Sequence, residues 1–307
     1  METRRKGLRG YRLIILAVVG ALLAIFGALW ISVIFPALDK MPGDYQETYT
    51  FEGTFSAMDP ATQQLVSFPV EQTLAQEAVG SEDGALLLHE VRTVVNSATG
   101  ADISAMYGDE STLAIDPRTL EYQQAVDERG RWGQFGPPRP LSEGESYDLW
   151  NPAVQQPLTA NYLRTEDFRG LTVFVYQINA QDVSLGNDPR SGMPLLLSTT
   201  ITQWVGPSSG TVVYNESVTT TSMDMMGQQI PVQISSLQFT EGTITSLMDT
   251  ARSAHWMLLW FRTLVPWLAM GFGAFLVVAA AVTVLVRNLR RARLDKPAEH
   301  PKPTYIS

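Results

Sequence analysis

The sequence contains no cysteine, and only three of its 307 residues are histidines. Without cysteine, a disulfide-stapled domain, a cysteine-ligated metal and thiol chemistry are all excluded. Charge is also missing from two stretches of 23 residues, residues 13–35 and 264–286. A helix needs about 20 apolar residues to cross the hydrocarbon core of a bilayer. Each stretch can therefore span a membrane once, which excludes a wholly soluble protein.

The charges that are present divide unevenly along the chain. Residues 36–263 hold 11 basic and 28 acidic groups, whereas both termini are basic. Lysine and arginine beside a span favour its cytoplasmic side. The sequence thus predicts a cell-membrane protein with both termini in the cytoplasm and the acidic middle outside. The orienting residues are Arg4, Arg5, Lys6, Arg9, Arg12, Arg287, Arg290, Arg291 and Arg293. A net charge of −9 argues against a nucleic-acid partner.

The first apolar stretch is interpreted as an uncleaved signal anchor. The alternative is a cleaved signal peptide, whose apolar core is usually only about 7–15 residues long and ends at a small-x-small site. Such a site is missing after residue 35. Four tryptophans, Trp30, Trp256, Trp260 and Trp267, lie near the predicted outer ends of the spans. Amphipathic rings favour the lipid–water interface, so we expect membrane anchors there, the alternative being core packing.

Small residues recur at a spacing of four in both stretches. Gly20, Ala24 and Ala28 form one row, and Ala269 and Gly273 form the other. Such rows allow helix backbones to approach closely, so they predict helix packing and could support self-association. Ionisable residues are missing from both stretches, which argues against a pump or carrier.

The middle of the chain has the pattern of β-strands. Tyr49, Phe51, Gly53 and Phe55 alternate with polar residues, as in a half-buried strand. Further strands are expected within residues 86–95, 171–178, 195–205, 212–221 and 230–239, which are rich in β-branched and aromatic residues. The prediction is a β-rich extracytoplasmic domain between two transmembrane α-helices. Its antiparallel strands could form a sheet, a sandwich or a barrel-like fold.

Four short segments have the chemistry of turns. Residues 59–62, 96–100, 116–119 and 206–210 combine Asp, Asn, Pro and Gly at the positions that turns favour. Each separates two strand-like segments, which predicts antiparallel hairpins. Residues 130–140 contain three glycines and three prolines and are expected to form a long loop, or alternatively a lid over a pocket.

A helical pattern replaces the strand pattern after Gly242. Apolar residues at positions 244, 247, 248, 251, 258 and 259 predict a juxtamembrane helix over residues 243–263. Ser246 and Asp249 resemble a capping box, and Pro266 is expected at or near a break. The predicted organisation is a cytoplasmic leader (1–12), a first span (13–35), a β domain (36–242), this helix, a second span (264–286) and a cytoplasmic tail (287–307).

Few residues have the arrangement of an active site. His89 lies in an apolar strand and His255 near the membrane edge, where structural roles are expected. Residues 206–210 match the G-x-S-x-G nucleophile motif, but that motif requires a following helix, whereas a strand is expected here. Acidic pairs such as Glu82-Asp83 lack the spacing of a calcium loop. We therefore predict a non-enzymatic protein without a metal or cofactor.

Two segments resemble a known family. Tyr147-Asp148-Leu149-Trp150-Asn151-Pro152 and Trp204–Val213, with one span at each end and basic tails, resemble the PorA-type family of actinobacterial membrane proteins. Most of that family is a domain of unknown function. The family's common Tyr-x-x-Trp-Asp run ends here in Asn151, so the resemblance assigns no role to a carboxylate at that position.

The expected function is the binding or handling of an envelope component, such as a lipid or glycolipid, by the β domain. Membrane lipids are the expected partners. The first alternative is a subunit of an oligomeric, porin-like channel, because two helices alone cannot enclose a water-filled pore. The second alternative is an envelope hydrolase acting through Ser208.

Overall fold

The computed structural model describes residues 2–59 and 61–294. The chain divides into two compact units, which are described separately. The first is Asp39–Trp256, called the β domain below. The second, called the helical unit, combines Met1–Leu38 with Met257–Ser307.

The β domain is built on one antiparallel sheet, in which the described residues form eleven strands. The strands are β1 (Gln46–Met58), β2 (Leu65–Glu82), β3 (Ala85–Asn96), β4 (Ala101–Asp102), β5 (Asp109–Ile115), β6 (Tyr147–Asn151), β7 (Gln156–Phe168), β8 (Leu171–Asn187), β9 (Pro194–Val205), β10 (Val212–Met225) and β11 (Gln228–Phe239). They lie in the order β4-β3-β2-β1-β11-β10-β9-β8-β7-β6, and β5 pairs with β3. All six segments with strand-like patterns lie within these strands.

The helices are α1 (Glu2–Leu29), α2 (Phe35–Leu38), α3 (Ser104–Tyr107), α4 (Glu241–Leu258) and α5 (Val265–Leu294). A π-helical turn at Trp30–Ile34 joins α1 to α2, and another at Leu259–Leu264 joins α4 to α5. Two of these helical stretches, Leu13–Leu38 and Glu241–Arg290, contain segments long and apolar enough to cross a membrane.

The sheet is open and does not close into a barrel. Between β5 and β6, the described residues form single-residue bridges that pair Ile115 with Tyr122, Glu121 with Gln134, and Gln134 with Leu149. The surrounding loop, residues 130–140, is rich in glycine and proline. Because proline cannot donate to a ladder and glycine weakens a strand, this segment does not extend the sheet. The sequence allowed a sheet, a sandwich or a barrel-like fold, and the structure has the single sheet.

Side-chain hydrogen bonds fix the predicted turns. The Oδ1 atoms of Asp59, Asn96 and Asp116 accept hydrogen bonds from backbone N–H groups two residues later, at 2.9, 3.0 and 2.7 Å. Pro60, which belongs to the first turn, lies outside the described residues. Each of the four turns separates antiparallel segments, so the hairpin prediction is confirmed.

The largest core of the β domain lies beneath α4. Ile244, Leu247, Met248 and Ala251 of this helix are buried against Val173, Val175, Trp204, Val213 and Phe239 of the sheet. These helical positions have the predicted spacing. The predicted capping box at Ser246 is wrong, because the helix begins five residues earlier, at Glu241. Thr240 provides the cap, since its Oγ1 accepts a hydrogen bond from the Thr243 N–H at 3.4 Å.

In the helical unit, α1 and α5 pack through the predicted small residues. A Cβ atom placed on Gly20 would lie 2.6 Å from the Gly273 carbonyl oxygen, and one on Gly273 would lie 2.8 Å from the Ala24 nitrogen. Such short distances leave room for hydrogen atoms only, so glycine is required at both positions. The predicted small-residue contact is therefore made within one chain.

Each π-helical turn ends two residues before a proline, Pro36 or Pro266, and begins within one residue of a tryptophan. Trp30 and Trp260 each precede the respective proline by six residues. The backbone N–H of Val265 bonds to the carbonyl of Trp260, five residues earlier. The irregularity expected at Pro266 thus takes the form of a π-helical turn immediately before it.

Candidate functional site

A cleft forms where α4 passes the turn between β9 and β10. It is called the helix cleft below, has a volume of about 440 Å³, and is lined by residues 170–172, 206–209, 251, 252, 255 and 256. Two of these lining residues are in contact, since the Ser208 hydroxyl lies 3.3 Å from Nδ1 of His255. These two residues are 47 positions apart in the sequence, and the packing of α4 on the sheet brings them together.

Backbone hydrogen bonds hold the turn of the helix cleft in a tight conformation. The Gly206 N–H donates to the Thr211 carbonyl, and the Gly210 N–H donates to the Gly206 carbonyl, both at 2.9 Å. Gly210 has a φ of +69°, and a Cβ there would lie 2.8 Å from the Pro137 carbonyl oxygen. Glycine is therefore needed for the backbone conformation and for the close approach of the neighbouring loop.

The lining of the helix cleft includes a basic residue and no acidic one. Arg252 and His255 are among its lining residues, and none of the residues that line it is Asp or Glu. Arg252 is held in place because its Nη2 donates to the Arg169 carbonyl at 2.8 Å. Asp249 approaches Nη1 of Arg252 only to 3.5 Å and lies largely in solvent. The guanidinium group therefore keeps donors that a ligand can use.

The Ser208–His255 pair does not have the context of a nucleophile elbow. The turn is followed by β10 and not by a helix. Within the described part of the chain, no carboxylate is hydrogen-bonded to His255 to orient the ring. A serine hydrolase needs both an exposed, strained nucleophile and an oriented base. The geometry consequently favours binding over acyl transfer at this site.

A second concavity, called the sheet groove below, crosses β1, β11, β10 and β9. Its volume is about 660 Å³. Two cross-strand rows of side chains line it on one face of the sheet. The first row is Glu52, Gln238, Glu216 and Thr202, and the second is Thr54, Ser236, Val218 and Thr200. Lysine, arginine and histidine do not occur among the residues that line the groove.

Gln238 connects the polar groups of the sheet groove. Its Nε2 donates to Oε1 of Glu52 at 3.4 Å, and its Oε1 accepts a hydrogen bond from the Tyr214 hydroxyl at 3.1 Å. Tyr214 precedes Glu216 by two residues on β10, so both side chains lie on the same face. Its ring stacks on Phe168 with a centroid distance of 5.7 Å and contacts Trp204 at 4.8 Å. Partial burial raises the pKa of Tyr214, which keeps its hydroxyl protonated.

Two buried polar arrangements stabilise the β domain away from these concavities. Arg131 and Asp127, both almost fully buried, form an ion pair at 3.0 Å, and Arg131 also donates to Ser111 Oγ at 2.7 Å. Gln76 links Tyr45 to Glu90 through hydrogen bonds of 3.4 and 2.7 Å. Burial raises the pKa of Tyr45 to about 12, so this hydroxyl also stays protonated.

The predicted anchor tryptophans occupy different environments. Trp256, Trp260 and Trp267 are 60%, 49% and 64% exposed, as expected for rings that face lipid. Trp30 is half-buried in the helical unit and donates from Nε1 to the Phe261 carbonyl at 2.7 Å. Their placement at a membrane interface stays a prediction.

The structure gives less information on the orienting basic residues. Arg287 and Arg290 lie on α5, and Arg290 is exposed. The side chains of Arg4, Arg5, Lys6, Arg9, Arg12, Arg291 and Arg293 lie outside the described residues. The orientation that they predict is therefore untested.

The other candidates from the sequence, His89 and the possible metal ligands, do not form a site among the residues that the structure describes. Nε2 of His89 lies 3.4 Å from the Glu110 carboxylate on the neighbouring strand. Within residues 2–59 and 61–294, no group of three or more metal-ligating side chains is present.

Sequence reasoning missed both concavities, because each combines residues from separate elements. Two local signals pointed to the helix cleft: the motif at residues 206–210, and the spacing of Arg252 and His255, three residues apart on a predicted helix.

Comparison with known proteins points to one family. The family model described as Porin PorA matches residues 14–282, and no protein of curated function matches. The chain is similar to a crystal structure assigned as AttH from Nitrosomonas europaea, with 9% identity, a TM-score of 0.19 and coverage of 62% of this chain and 49% of that one. The chain thus spans about half of that structure, and the TM-score supports no inference. The family match and the two apolar helices are compatible with a membrane protein or a porin-like role, and the family's description suggests a protein other than an enzyme. The chain belongs to the Porin PorA family.

Proposed function

We propose that this protein crosses the cell membrane twice, with both termini in the cytoplasm, and that its β domain binds a neutral sugar group of an envelope glycolipid. The orientation rests on the basic termini and the acidic middle of the chain. The ligand class rests on one observation: two cross-strand rows of mainly polar side chains line the sheet groove, and no basic residue is among its lining residues.

The chemistry of the sheet groove suits a polyhydroxylated ligand. Hydroxyl and amide side chains both donate and accept hydrogen bonds, and the carboxylates of Glu52 and Glu216 accept them from sugar hydroxyls. β1 and β10 are separated by β11, which places these two glutamates about 10 Å apart across the sheet, since neighbouring strands are ~4.8 Å apart. That spacing can flank a sugar ring. Two carboxylates in a lining that includes no basic residue disfavour an anionic ligand.

An oligomeric channel is the second candidate, and the family's porin name favours it. Such a channel would need several copies, because two helices enclose no aqueous pore. Gly20 and Gly273 are already in contact within one chain, so self-association would have to use another face of the helices. Conductance of the purified protein in a planar bilayer would support the channel and contradict the binding proposal as the main function.

The absence of cysteine provides a direct test of orientation. The unmodified chain has no thiol background, so single variants Ser97→Cys, in the turn after β3, and Ser307→Cys can be labelled with a membrane-impermeant maleimide in intact cells. We expect Ser97→Cys to be labelled at once and Ser307→Cys only after permeabilisation. The reverse pattern would reject the proposed orientation. A mature chain that lacks residues 13–35 would identify a cleaved signal peptide.

The sugar proposal can be tested with octyl glucoside, a neutral glycolipid surrogate, on the full chain in a polyoxyethylene detergent. Saturation-transfer NMR should detect contact with the glucose ring, and a polyoxyethylene octyl ether should not compete. We expect Glu216→Ala to weaken binding about tenfold, because hydrogen bonds to a charged group contribute about 1.5–3 kcal/mol. Glu77→Ala, an exposed β2 residue outside the sheet groove, is the matched control. Equal binding by both variants would reject the sheet groove as the sugar site.

A further inference from the structure

We propose that the helix cleft is a second, independent binding site, which holds the phosphate group of an anionic ligand through Arg252, His255 and Ser208. This inference does not depend on the sugar proposal, because the two concavities share no lining residue. The sheet groove disfavours an anionic ligand, whereas the helix cleft would bind one.

The electrostatics of the helix cleft are unusual for this chain. Residues 36–263 carry far more acidic than basic groups. The residues lining the helix cleft nevertheless include Arg252 and His255 and no carboxylate. Because a charge distribution of this kind repels anions from most of the domain, a cleft lined by Arg252 and by no carboxylate concentrates them at one place.

The donors of the helix cleft converge from two elements. The Ser208 hydroxyl comes from the β9–β10 turn, and the His255 ring, 3.3 Å away, comes from α4. Arg252 lies three residues before His255, on the same side of the helix. The Arg169 carbonyl accepts one hydrogen bond from its Nη2 and so positions the guanidinium group without neutralising it. A planar guanidinium beside a hydroxyl and an imidazole is a suitable set of donors for phosphate oxygens.

The two acidic residues of α4, Glu241 and Asp249, leave the guanidinium group of Arg252 accessible to a ligand. Glu241, the acidic residue of the first turn of α4, is engaged by both terminal nitrogens of Arg169. That bond lowers the pKa of Glu241 and raises that of Arg169. Asp249 is exposed and makes only a 3.5 Å contact with Arg252.

The phosphate could belong to a lipid headgroup or to a small soluble molecule. Trp256 lines the helix cleft and is 60% exposed, so it can contact the glycerol or acyl part of a lipid. Both sources require the same donors, and the experiment has one arm for each.

The test uses the full chain in a polyoxyethylene detergent, with binding measured by native mass spectrometry and calorimetry. The probes are dioctanoyl phosphatidylglycerol, the zwitterionic dioctanoyl phosphatidylcholine, and inorganic phosphate. We expect phosphatidylglycerol to bind and Arg252→Gln to weaken its binding at least about tenfold, the loss typical of a charge-assisted hydrogen bond. Ser208→Ala should weaken it about threefold to tenfold, and Arg252→Lys should restore part of the affinity. Arg190→Gln, an exposed arginine in the β8–β9 turn, is the matched control.

Each outcome assigns or rejects the site. If inorganic phosphate competes with phosphatidylglycerol and Arg252→Gln abolishes both, the site takes soluble phosphate groups. If inorganic phosphate does not compete, it takes lipid headgroups. If phosphatidylglycerol binds Arg252→Gln, Ser208→Ala and the unmodified chain equally, or if phosphatidylcholine binds as well as phosphatidylglycerol, the proposal is overturned. An unchanged near-UV circular dichroism spectrum of Arg252→Gln shows that the variant is folded.

Discussion

The helical unit and the β domain place their apolar and polar groups in opposite ways. In the helical unit, large apolar side chains such as Phe272 and Phe275 point outwards, and the buried positions include Gly20, Gly273 and Ala280. In the β domain, apolar side chains are buried in clusters, and polar rows such as the one through Gln238 are exposed. A helix in lipid gains nothing by burying leucine against leucine, so its packing depends on close backbone approach. A domain in water depends on apolar burial.

The two units also satisfy their buried polar groups differently. The β domain buries a complete ion pair, in which Asp127 accepts from Arg131 and from the backbone N–H groups of residues 114, 129 and 131. The helical unit contains a carbonyl, that of Phe261, whose donor in the π-helical pattern would be Pro266. Because proline has no N–H, the indole of Trp30 supplies the missing hydrogen bond. The first solution uses charge and the second uses a single neutral donor.

Breaking the buried ion pair between Asp127 and Arg131 should reduce the stability of the protein more than any other change proposed here. Asp127→Ala leaves the buried Arg131 without its partner, which typically costs about 3–5 kcal/mol. For a domain of this size, we expect the midpoint of thermal unfolding to fall by at least about 6 °C. Near-UV circular dichroism of the full chain would measure the shift. Asp44→Ala, at an exposed turn position before β1, should leave the midpoint unchanged.

Changing the glycine contact should have the next largest effect, confined to the helical unit. Gly273→Leu forces side-chain atoms into the Gly20 backbone, and overpacking of this kind costs about 1–3 kcal/mol. Gly271→Leu is the matched control, because a Cβ at Gly271 meets nothing within 4 Å. Spin labels at Val18→Cys and Val278→Cys would report the α1–α5 distance by pulsed EPR. A broadened distribution for Gly273→Leu alone is expected, and identical distributions for both variants would contradict the assigned contact.

Removing the indole donor should have a smaller effect. Trp30→Phe keeps an aromatic ring but leaves the Phe261 carbonyl without its partner. Hydrogen bonds between membrane helices contribute on average about 0.6 kcal/mol and at most about 1.7 kcal/mol. We expect a modest loss of resistance to unfolding by SDS. Trp267→Phe, which is 64% exposed, should show none; an equal loss in both would indicate that ring burial, and not the hydrogen bond, stabilises the pair.

The surface ion pair of the β domain should have the smallest effect. Both terminal nitrogens of Arg129 donate to Asp109, at 2.8 and 2.9 Å, and this hydrogen bonding lowers the pKa of Asp109. The stabilisation is therefore present above the carboxyl's unfolded pKa and is lost as the pH falls through the lowered, folded value. Because the pair is partly exposed, it contributes about 0–1 kcal/mol. Thermal unfolding between pH 6 and pH 2 should depend less on pH in Asp109→Asn; an unchanged slope would show that the pair contributes nothing.

The sequence predicts regular elements well where one pattern repeats. Alternation at Tyr49, Phe51 and Phe55 was sufficient for β1, and the spacing of Ile244, Leu247 and Ala251 was sufficient for α4. The apolar pattern predicts a helix from residue 243, whereas α4 begins at Glu241, because Thr240 has the cap geometry. The π-helical turns were missed, although Trp30 and Trp260 each precede a proline by six residues.

Neither concavity could be predicted from local patterns. The sheet groove requires the pairing of Glu52 with Gln238, which are 186 residues apart, and the helix cleft requires α4 to pack across the β9–β10 turn. Both depend on long-range register, which a local pattern does not encode.

Composition and local pattern predict the solvent of each part of the chain. Runs without charge belong in lipid, alternating and acidic segments belong in water, and turn residues mark hairpins, because transfer free energy and local backbone preference act residue by residue. Tertiary structure alone decided that the sheet stays open, that Ser208 meets His255, and that Trp30 donates to Phe261. These arrangements arise from contacts between distant segments, whose energies exist only once the chain is folded.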